Sequence, residues 1–519
     1  MFKKLLPFIL FIFLFQICKA QNEFITIWQP SLNAGNVTVD APFQANSQQI
    51  WFPGIGENYN IYWEEIGFPQ HNGSLINITS TKQVLIDFGK PLTADVGSER
   101  YRVKVTNGSG TFKQIRFGDF QLYVAFDIPL LSWQIHGSAN KILEIEQWGN
   151  INWLSMNSAF SNCAWIQITA NDSPNLTNVT DTSFMFYNAV NLLGHSSMAN
   201  WNTSHIQNFS FMFSILGGNY IAQTIDAFNP PYLSSWNTSS ATNFNSMFSG
   251  RKVFNQSLNT WNTSNVTDMA WMFASCIAFN QHLDNWNTSN VTNMAYMLHF
   301  IPVFQQSLDM WDTSKVTNMT HLFHGCTSFN NPLYNWDTSK VTNMSFMLTG
   351  ASSYNQSLAN WNLTALTDAQ SMLASSGLNC DNYSKTLAGW ADNLNTPNNV
   401  PLGIANPLQY ASNAVNKRNI LLNKGWTISG DTVGSCFLST SELKPGKKGH
   451  IYPNPAIDDI HVEGIDGIKN YRILDASGRI IKEGNPSQEL INISSLLKGN
   501  YILQIITKGG SQNFKFIKK

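Results

Sequence analysis

Charged residues are scarce in this sequence. Asp, Glu, Lys and Arg make up 12% of the 519 residues, and the formal net charge is −1. Soluble domains usually carry about twice that charged fraction. Asn, Ser, Thr and Gln replace the charged residues and solvate a surface without creating a strong field. Because proteins bind the phosphate backbone through clustered Lys and Arg, the composition excludes nucleic acid as a partner.

Cysteines and long apolar runs are also few. Six cysteines are too sparse for a disulfide-built scaffold in a chain of this length. Export would permit one bridge, and Cys380 with Cys436 is the pair to test first. The apolar run near the N-terminus follows two lysines and ends in small residues, which is typical of a signal peptide over residues 1–20. No other run approaches the ~18 apolar residues of a spanning helix, so we do not expect an integral membrane protein.

Motifs for catalysis are missing as well. The sequence contains no nucleophile elbow, phosphate-binding loop or zinc-protease helix motif. Glu64 and Glu65 are adjacent carboxylates, as are Asp458 and Asp459. Both pairs are expected to lie in solvated turns, because adjacency alone does not aim two carboxylates at a substrate. We therefore expect a protein that is not an enzyme and has no cofactor.

A tryptophan repeat occupies the centre of the chain. Successive Trp residues fall at steps of 25, and most begin a version of W-[N/D]-T-S-x-V-T-[N/D]-M. The repeated columns are Trp236, Trp261, Trp286, Trp311, Trp336 and Trp361, then Val266, Val291, Val316 and Val341, and then Met269, Met294, Met319 and Met344. A 25-residue period lies within the range of leucine-rich-type solenoids, in which stacked units bury the apolar face that one unit cannot cover alone.

Each 25-residue unit is predicted to contain a short helical face and a short strand. Apolar positions 5, 8, 11 and 12 residues after the Trp have the spacing of one side of a helix, and the F-N-Q-x-L-x-x-W stretch suits a strand. The predicted fold class is α/β: a leucine-rich-repeat-like solenoid of 25-residue coils with caps over residues 141–438. Stacked coils would be about 4.8 Å apart, with the Trp rings as the main apolar column.

Two β domains are expected to flank the solenoid. Residues 21–140 show no repeat, and their short alternating runs between Gly, Asn and Ser turns predict an antiparallel, β-sandwich-like domain. Residues 439–450 form a polar linker. A second compact β pattern over residues 451–519 predicts a small β-sandwich.

Polar columns in the repeat allow a structural and a functional interpretation. Amide side chains recur before each Trp, and in stacked coils they can hydrogen-bond from one coil to the next. These amides belong to Asn255, Asn280, Gln305, Asn330 and Asn355. Serines that follow the Trp are expected to cap the predicted helices; they are Ser264, Ser289, Ser314 and Ser339. Rows of amides and hydroxyls beside exposed aromatic rings would also suit a polysaccharide or a host protein.

One group of side chains has ligands of the kind that zinc prefers. His321, His324 and Cys326 are close in sequence, and His299 precedes His324 by one repeat, which would place these two imidazoles roughly 5 Å apart. Neutral imidazoles and a thiolate can bind zinc. The alternative, which we favour, is that the histidines vary at surface columns and that Cys326 fills a small-residue column, as Cys276 does. No metal site is therefore predicted.

The repeat units resemble those of a known family. The stretch W-D-T-S-K-V-T-N-M-S-F-M-L, combined with F-N-Q-x-L, is similar to the repeats of BspA-type leucine-rich repeat surface proteins, which occur in Bacteroidetes and other microbes. The resemblance covers about residues 141–438. It implies an extracellular protein, and adhesion is the role usually proposed for that family.

The C-terminal residues resemble the type A sorting domain of the type IX secretion system of Bacteroidetes. The similar motifs are Y-P-N-P, D-A-S-G-R, L-K-G-N-Y and a basic end, in that order. The matching residues are Tyr452, Pro453, Asn454, Pro455, Gly478, Gly499, Tyr501, Lys518 and Lys519. The resemblance implies that the type IX secretion machinery carries the chain across the outer membrane, after the signal peptide has directed it to the periplasm.

These observations predict a secreted or surface-attached protein. We expect it to bind a host protein, a glycan or a bacterial surface through the face of the solenoid. An alternative is a structural component of a surface layer or biofilm matrix that associates with itself. A further alternative, which no motif supports, is an exported hydrolase with its site in residues 21–140.

Overall fold

A computed structural model describes most of the chain. The described residues are 22–32, 40–95, 97–125, 128–215, 226–436, 450–465, 467–475, 479–485, 490–507 and 510–519. The expected signal peptide and Gly478 lie outside these ranges. The chain divides into two compact units, Met1–Leu438 and Ser439–Lys519. Within the described residues the secondary structure is mainly β, with few helices.

The first unit begins with an antiparallel sheet of seven strands. Its strands, and two separate pairs beside it, are β1 (Phe24–Trp28), β2 (Gln49–Phe52), β3 (Gly54–Glu65), β4 (Phe68–Ser80), β5 (Val84–Asp87), β6 (Tyr101–Thr106), β7 (Thr111–Ile115), β8 (Gly118–Ala125), β9 (Ile128–Ile135), β10 (Ile142–Gln147) and β11 (Gln167–Ile168). The strand order is β11-β10-β1-β6-β3-β4, with β7 also paired to β3, while β2 pairs β5 and β8 pairs β9. Only the β10–β11 pairing in this sheet is parallel. The sheet therefore continues past residue 140, where the N-terminal β domain was expected to end.

Alternation of side chains explains how this sheet forms one wall of the core. In β6, Tyr101, Val103 and Val105 are buried, and the intervening Arg102 and Lys104 lie on the other face. This is the two-residue period that a strand buried on one face requires. The apolar core that begins here extends through the repeat units without interruption.

The same alternation corrects the interpretation of Glu64 and Glu65. They end β3 and point to opposite faces of the sheet, so neither lies in a solvated turn. Glu64 pairs with Arg102 at 3.2 Å and with Lys104 at 3.1 Å. The Glu65 side chain is fully buried and accepts a hydrogen bond from the Thr93 N–H at 2.7 Å. These contacts give both carboxylates structural roles.

The repeat units are built from turns and single parallel bridges. One Asn or Asp in each unit forms a bridge to its counterparts in the neighbouring units, and in the units that begin with a Trp it lies seven residues after that Trp. The bridging residues are Asp181, Asn208, Asn243, Asp268, Asn293, Asn318, Asn343 and Asp368, and the last six of these are 25 residues apart. In the described residues from 236 to 379, no segment is an α-helix or a continuous strand.

The predicted helical face in each unit was wrong, and the unit that starts at Trp261 shows why. The Asp268 carboxylate accepts the Ala270 N–H at 2.9 Å and starts a turn. Trp271 and Ser275 then have positive φ angles of 61°, which no α-helix accommodates. The Trp271 N–H donates to the carbonyl of Ala295 in the next unit at 2.9 Å. The 3–4 spacing of apolar residues thus arises from successive turns that all face the core.

The predicted strand was also wrong, because side-chain amides replace backbone pairing there. The Asn280 N–H donates to the Asn255 side-chain oxygen at 2.9 Å, and the Gln305 N–H donates to the Asn280 side-chain oxygen at 3.0 Å. The Gln281 side chain donates to the same Asn255 oxygen at 3.0 Å. The amide column therefore links successive units, but it does so mainly through amide oxygens that accept backbone N–H groups.

The serines that follow each Trp were predicted to cap helices, but the structure places them in turns. Each serine donates its backbone N–H to the side-chain oxygen of the Asn or Asp two residues before it, at 2.9–3.0 Å. The four serines are Ser264, Ser289, Ser314 and Ser339. The threonine between the Asn or Asp and the serine is buried in each unit. The Thr263 hydroxyl, for example, donates to the Asn287 carbonyl of the next unit at 2.9 Å.

The tryptophan column is the centre of the buried core. Trp286 is 3% exposed, and its indole N–H donates to the Leu258 carbonyl of the preceding unit at 3.0 Å. The same bond recurs for the Trp residues from 261 to 361. Trp236 and Trp261 lie nearly parallel, with ring centroids 6.5 Å apart. The Val and Met columns are fully buried beside them. Each indole is thus both buried and hydrogen-bonded, as a buried Trp requires.

Two helices close the array at its C-terminal end. They are α1 (Cys380–Asp392) and α2 (Val415–Asn423), accompanied by the parallel pairs of β12 (Pro401–Ile404) with β14 (Thr427–Ser429) and β13 (Gln409–Ala411) with β15 (Thr432–Gly434). Short 3₁₀ turns occur at Ala139–Lys141, Ser196–Asn200, Pro231–Ser235 and Ser412–Ala414. A disulfide joins Cys380 to Cys436, with Cα atoms 6.0 Å apart.

The second unit contains two small antiparallel sheets. Its strands are β16 (His450–Tyr452), β17 (Asp459–Glu463), β18 (Ile468–Leu474), β19 (Ile480–Gly484), β20 (Leu490–Asn492), β21 (Gly499–Thr507) and β22 (Gly510–Lys518). The strand orders are β16-β17-β20 and β19-β18-β21-β22. Ile460, Ile473, Leu503 and Ile505 are fully buried in a core of its own.

Candidate ligand-binding patch on the repeat units

A column of left-handed residues runs along one face of the repeat. The tenth residue after each Trp has a positive φ angle, between 54° and 61°, and none of these residues is glycine. The column comprises Phe211, Ser246, Trp271, Tyr296, His321, Phe346 and Ser371. The left-handed conformation is uncommon for any residue other than glycine, and it costs bulky residues about 1–3 kcal/mol each. Four consecutive rings thus occupy a conformation that glycine would adopt with less strain.

These four rings form a continuous stack that is partly open to solvent. The ring centroids of Trp271 and Tyr296 are 3.8 Å apart at an interplanar angle of 8°. Tyr296 and His321 follow at 4.3 Å and 10°, and His321 and Phe346 at 4.6 Å and 20°. All four side chains are half-buried. Because each ring covers the face of the next, the stack presents mainly ring edges to the solvent.

Phe300 stands beside this stack in a second left-handed column. The matching residues of the neighbouring units are Ser275 and Gly325, and Phe300 has a φ angle of 54°. Its side chain is 47% exposed. A Cβ atom placed on Gly325 would lie 2.4 Å from the Phe300 ring, so the glycine makes room for the ring. A strained and half-exposed aromatic ring adds little to folding, and such outliers are common at functional sites.

Three imidazoles lie among these rings. The ring centroids of His299 and His324 are 4.9 Å apart, those of His321 and His324 are 5.1 Å apart, and those of His299 and His321 are 5.7 Å apart. Burial, together with the neighbouring imidazoles, lowers the pKa of His299 to about 3, and burial together with His324 lowers that of His321 to about 4. Burial also lowers the pKa of His324. All three side chains are therefore neutral at pH 7.

We call this surface the aromatic–imidazole patch. It consists of Trp271, Tyr296, His299, Phe300, His321, His324 and Phe346. No Asp, Glu, Lys or Arg occurs in residues 269–283, 285–308, 316–336 or 341–367, so the chain segments that carry the patch are uncharged. An uncharged surface of aromatic rings and neutral imidazoles can contact a ligand through ring surfaces and through hydrogen bonds to the imidazole nitrogens.

Cys326 does not belong to the patch. Its thiol is fully buried and donates to the Leu298 carbonyl at 2.9 Å, and burial raises its pKa to about 12. In the part of the chain that the structure describes, no group of three or more His, Cys, Asp or Glu side chains is arranged to hold a metal ion. The sequence cluster is thus divided between a buried thiol and a group of surface imidazoles.

The residues matched to the sorting signal lie mainly at one end of the second unit. The Asn454 side chain accepts the Ile517 N–H at 3.0 Å and donates to the Lys515 carbonyl at 2.9 Å. Tyr501 lies on β21 and donates its hydroxyl to the Leu497 carbonyl at 2.8 Å. The Y-P-N-P segment is thereby held against the last strand. Of the adjacent carboxylates in this unit, Asp458 is exposed in a bend and Asp459 begins β17, so only Asp458 lies in a turn.

The patch was not predicted from the sequence, although its histidines were singled out. The signal for it is the tenth position after each Trp, where W, Y, H and F replace the serine of the units that start at Trp236 and Trp361. Periodicity alone treats this position as a variable surface column. Its importance becomes visible only with the φ angles and the ring stacking.

Comparisons with known proteins find matches for two regions of the chain, the repeat region and the C-terminal residues. Residues 154–231, 218–301 and 281–390 match the model of a family described as "Mycoplasma protein of unknown function, DUF285". Residues 450–519 match a model described as "Secretion system C-terminal sorting domain". No curated protein matches the chain.

These matches indicate where the protein acts. The central region is similar to BspA-like surface repeat proteins, and the C-terminal match supports a type IX sorting domain. None of the helices among the described residues is long and apolar enough to cross a membrane. The sorting domain indicates export by the type IX secretion machinery to the cell surface or the extracellular space.

Proposed function

We propose that this protein is an exported, non-enzymatic binding protein whose ligand site is the aromatic–imidazole patch. The observation that carries the proposal is Phe300, whose ring is 47% exposed on a left-handed backbone. Burying half of a Phe side chain contributes about 1 kcal/mol, while the conformation costs about 1–3 kcal/mol. The ring therefore does not improve folding, and contact with a ligand gives it a role.

We infer that the repeat region is a solenoid whose units display the patch as a rigid surface. Parallel bridges at 25-residue steps, the Trp-to-carbonyl bonds and the amide column all connect neighbouring units. Such a connected array loses little conformational entropy when it binds, which favours affinity. Adhesion to a host protein, a glycan or another bacterial surface is the role that we propose for it, after removal of a signal peptide over residues 1–20.

The proposal is tested by replacing Phe300 with glycine. Gly adopts the left-handed conformation without strain, so Phe300→Gly is expected to fold with unchanged or higher stability. The full-length exported protein and the variant are compared for binding to extracellular-matrix proteins, mucin and bacterial cells. Tyr334→Ala is the matched control, since Tyr334 is 53% exposed and lies outside the patch.

We expect Phe300→Gly to weaken binding to the ligand-bearing surface, and Tyr334→Ala to leave it unchanged. Thermal unfolding measured by circular dichroism verifies that both variants are folded. Equal binding by the wild type and Phe300→Gly on every surface to which the protein adheres would show that the patch is not the site.

Self-association is a second candidate function, favoured by exposed aliphatic residues at one edge of the repeat. Val253, Ile277 and Val303 lie in successive units and are 39%, 45% and 41% exposed. A self-associating component of a surface layer would show a light-scattering mass that rises with concentration, and Ile277→Ser would reduce that rise. A constant monomer mass would contradict this function.

A further inference from the structure

The three histidines of the patch carry their protons on defined nitrogens. The Nδ1 atoms of His299, His321 and His324 are buried and have no hydrogen-bond partner among the described residues. A neutral imidazole has one N–H donor and one acceptor nitrogen. Buried N–H groups without an acceptor are rare because they lose their hydration. The proton therefore belongs on Nε2, which in none of the three rings is among the buried atoms that lack a hydrogen-bond partner.

The patch thus presents three neutral N–H donors to the solvent. The three ring centroids lie within 5.7 Å of one another, so one ligand of the size of a sugar ring can contact more than one of them. Tyr296 is stacked beside the group, with its ring centroid 5.2 Å from that of His299. A ligand for this surface must supply hydrogen-bond acceptors.

The aromatic part of the patch selects for an apolar face on the same ligand. Tyr296 and His321 have ring neighbours on both faces. Phe300 lies outside that stack and is the most exposed ring of the patch. The face of an aromatic ring carries a negative quadrupole and attracts weakly positive C–H groups. The ligand therefore combines acceptor oxygens with a C–H face.

We infer that the aromatic–imidazole patch binds a neutral polysaccharide. Its hydroxyl and ether oxygens accept hydrogen bonds from the imidazole Nε2–H groups, and the C–H face of one sugar ring packs on Phe300. This inference rests on the proposed function, namely that the patch is the ligand site, and adds the chemical class of the ligand.

Charged ligands suit the patch less well. An anion would have to give up water without a Lys or Arg to compensate, which is unfavourable, and the patch segments contain neither. A cation would meet the positive ends of three N–H dipoles, which offset its attraction to the ring face. A neutral chain of sugars avoids both costs.

The test measures the affinity of the full-length exported protein for defined polysaccharides at pH 7. Laminarin, mannan and galactan are the neutral probes, alginate and heparin are the acidic probes, and affinity electrophoresis and calorimetry give the dissociation constants. We expect at least one neutral probe to bind more tightly than both acidic ones. Phe300→Gly should weaken that binding about tenfold, a loss of about 1.4 kcal/mol.

A second variant separates the hydrogen bonds from the aromatic contact. His324→Phe keeps a ring of similar shape but removes one N–H donor, and it should weaken binding about three- to tenfold. Tyr334→Ala is again the control and should keep the affinity of the wild type. Circular dichroism of every variant shows whether the fold is kept.

The outcomes distinguish this inference from the proposed function. Tighter binding of alginate or heparin, or no binding of any neutral probe, overturns the inference. Patch variants that impair adhesion to a protein while no polysaccharide binds refute the inference and leave the proposed function in place. If Phe300→Gly changes the binding of no ligand that the protein binds, both the inference and the proposed function are wrong.

Discussion

Arg251 provides a direct test of how the repeat units are held together. Its side chain is fully buried, where most other units have a small or apolar residue. Nε donates to the Phe213 carbonyl at 2.6 Å, Nη2 donates to the Ala189 carbonyl at 3.0 Å, and Nη1 pairs with the Asp226 carboxylate at 3.2 Å. The guanidinium also lies 4.7 Å from the centroid of the Phe228 ring. One side chain thus connects three earlier segments of the chain.

Replacing Arg251 with methionine should lower the free energy of unfolding by about 3–5 kcal/mol. Methionine fills a similar volume, but it leaves the largely buried carboxylate of Asp226 without its partner. Removing one member of a buried ion pair costs about 3–5 kcal/mol. The carbonyls of Phe213 and Ala189 also lose their hydrogen bonds to Arg251, and that loss is included in the same range. Adding Asp226→Asn removes the unpaired charge, so the double variant should be more stable than the sum of the two single changes predicts.

Urea denaturation followed by tryptophan fluorescence measures the effect. Cys276→Ala is the matched control, because Cys276 occupies the equivalent buried position one unit later, and it should cost only about 1 kcal/mol. A loss below about 1 kcal/mol in Arg251→Met, or strictly additive effects in the double variant, would refute the claim that the buried ion pair anchors this part of the repeat.

Three further predictions concern other parts of the chain. Trp286→Phe keeps an aromatic ring but removes the indole donor to the Leu258 carbonyl, and it should cost about 1–3 kcal/mol in urea denaturation; an unchanged midpoint would contradict the role of that bond. Folding lowers the pKa values of His299 and His321, whereas in the unfolded chain both histidines have a pKa of about 6.5. Below that pH the unfolded chain therefore binds more protons than the folded one. The free energy of unfolding should be constant above pH 6.5 and fall between pH 6 and 4, by at most about 1.4 kcal/mol per pH unit for each histidine. Stability that rises on acidification in this range would disprove the burial of these rings. A chain truncated after Lys444 should accumulate in the periplasm, as judged by cell fractionation, whereas normal surface display would exclude the sorting role of the C-terminal residues.

The register of the repeat could be predicted from the sequence, whereas its local conformation could not. Trp and Val columns at constant spacing show which residues must meet in a common core, because only stacking buries all of them. The same columns do not show how the backbone turns between them. A turn that begins at Asp268 and two left-handed residues give apolar spacings of 3 and 4 residues, which are also the spacings of a helix.

The candidate site was hidden for a related reason. The sequence shows that His321 and His324 are close together, but it does not show that the rings of Tyr296 and Phe346 stack on the two faces of His321. Sequence reasoning treats a left-handed position as a place for glycine or asparagine. An aromatic residue there contradicts local preference, and such conflicts between local and global preference occur at functional or strained sites.

Helix α1 and the residue before it make the same contacts with the last repeat unit as a further repeat unit would. The Trp390 indole donates to the Leu358 carbonyl at 3.0 Å, and the Asn379 N–H donates to the Asn355 side-chain oxygen at 2.9 Å. The helix therefore recognises the end of any unit that presents a Leu carbonyl and an Asn at these positions. Evolution can lengthen or shorten this protein by whole units of 25 residues without altering its C-terminal cap, and such changes can move or resize the aromatic–imidazole patch along the array.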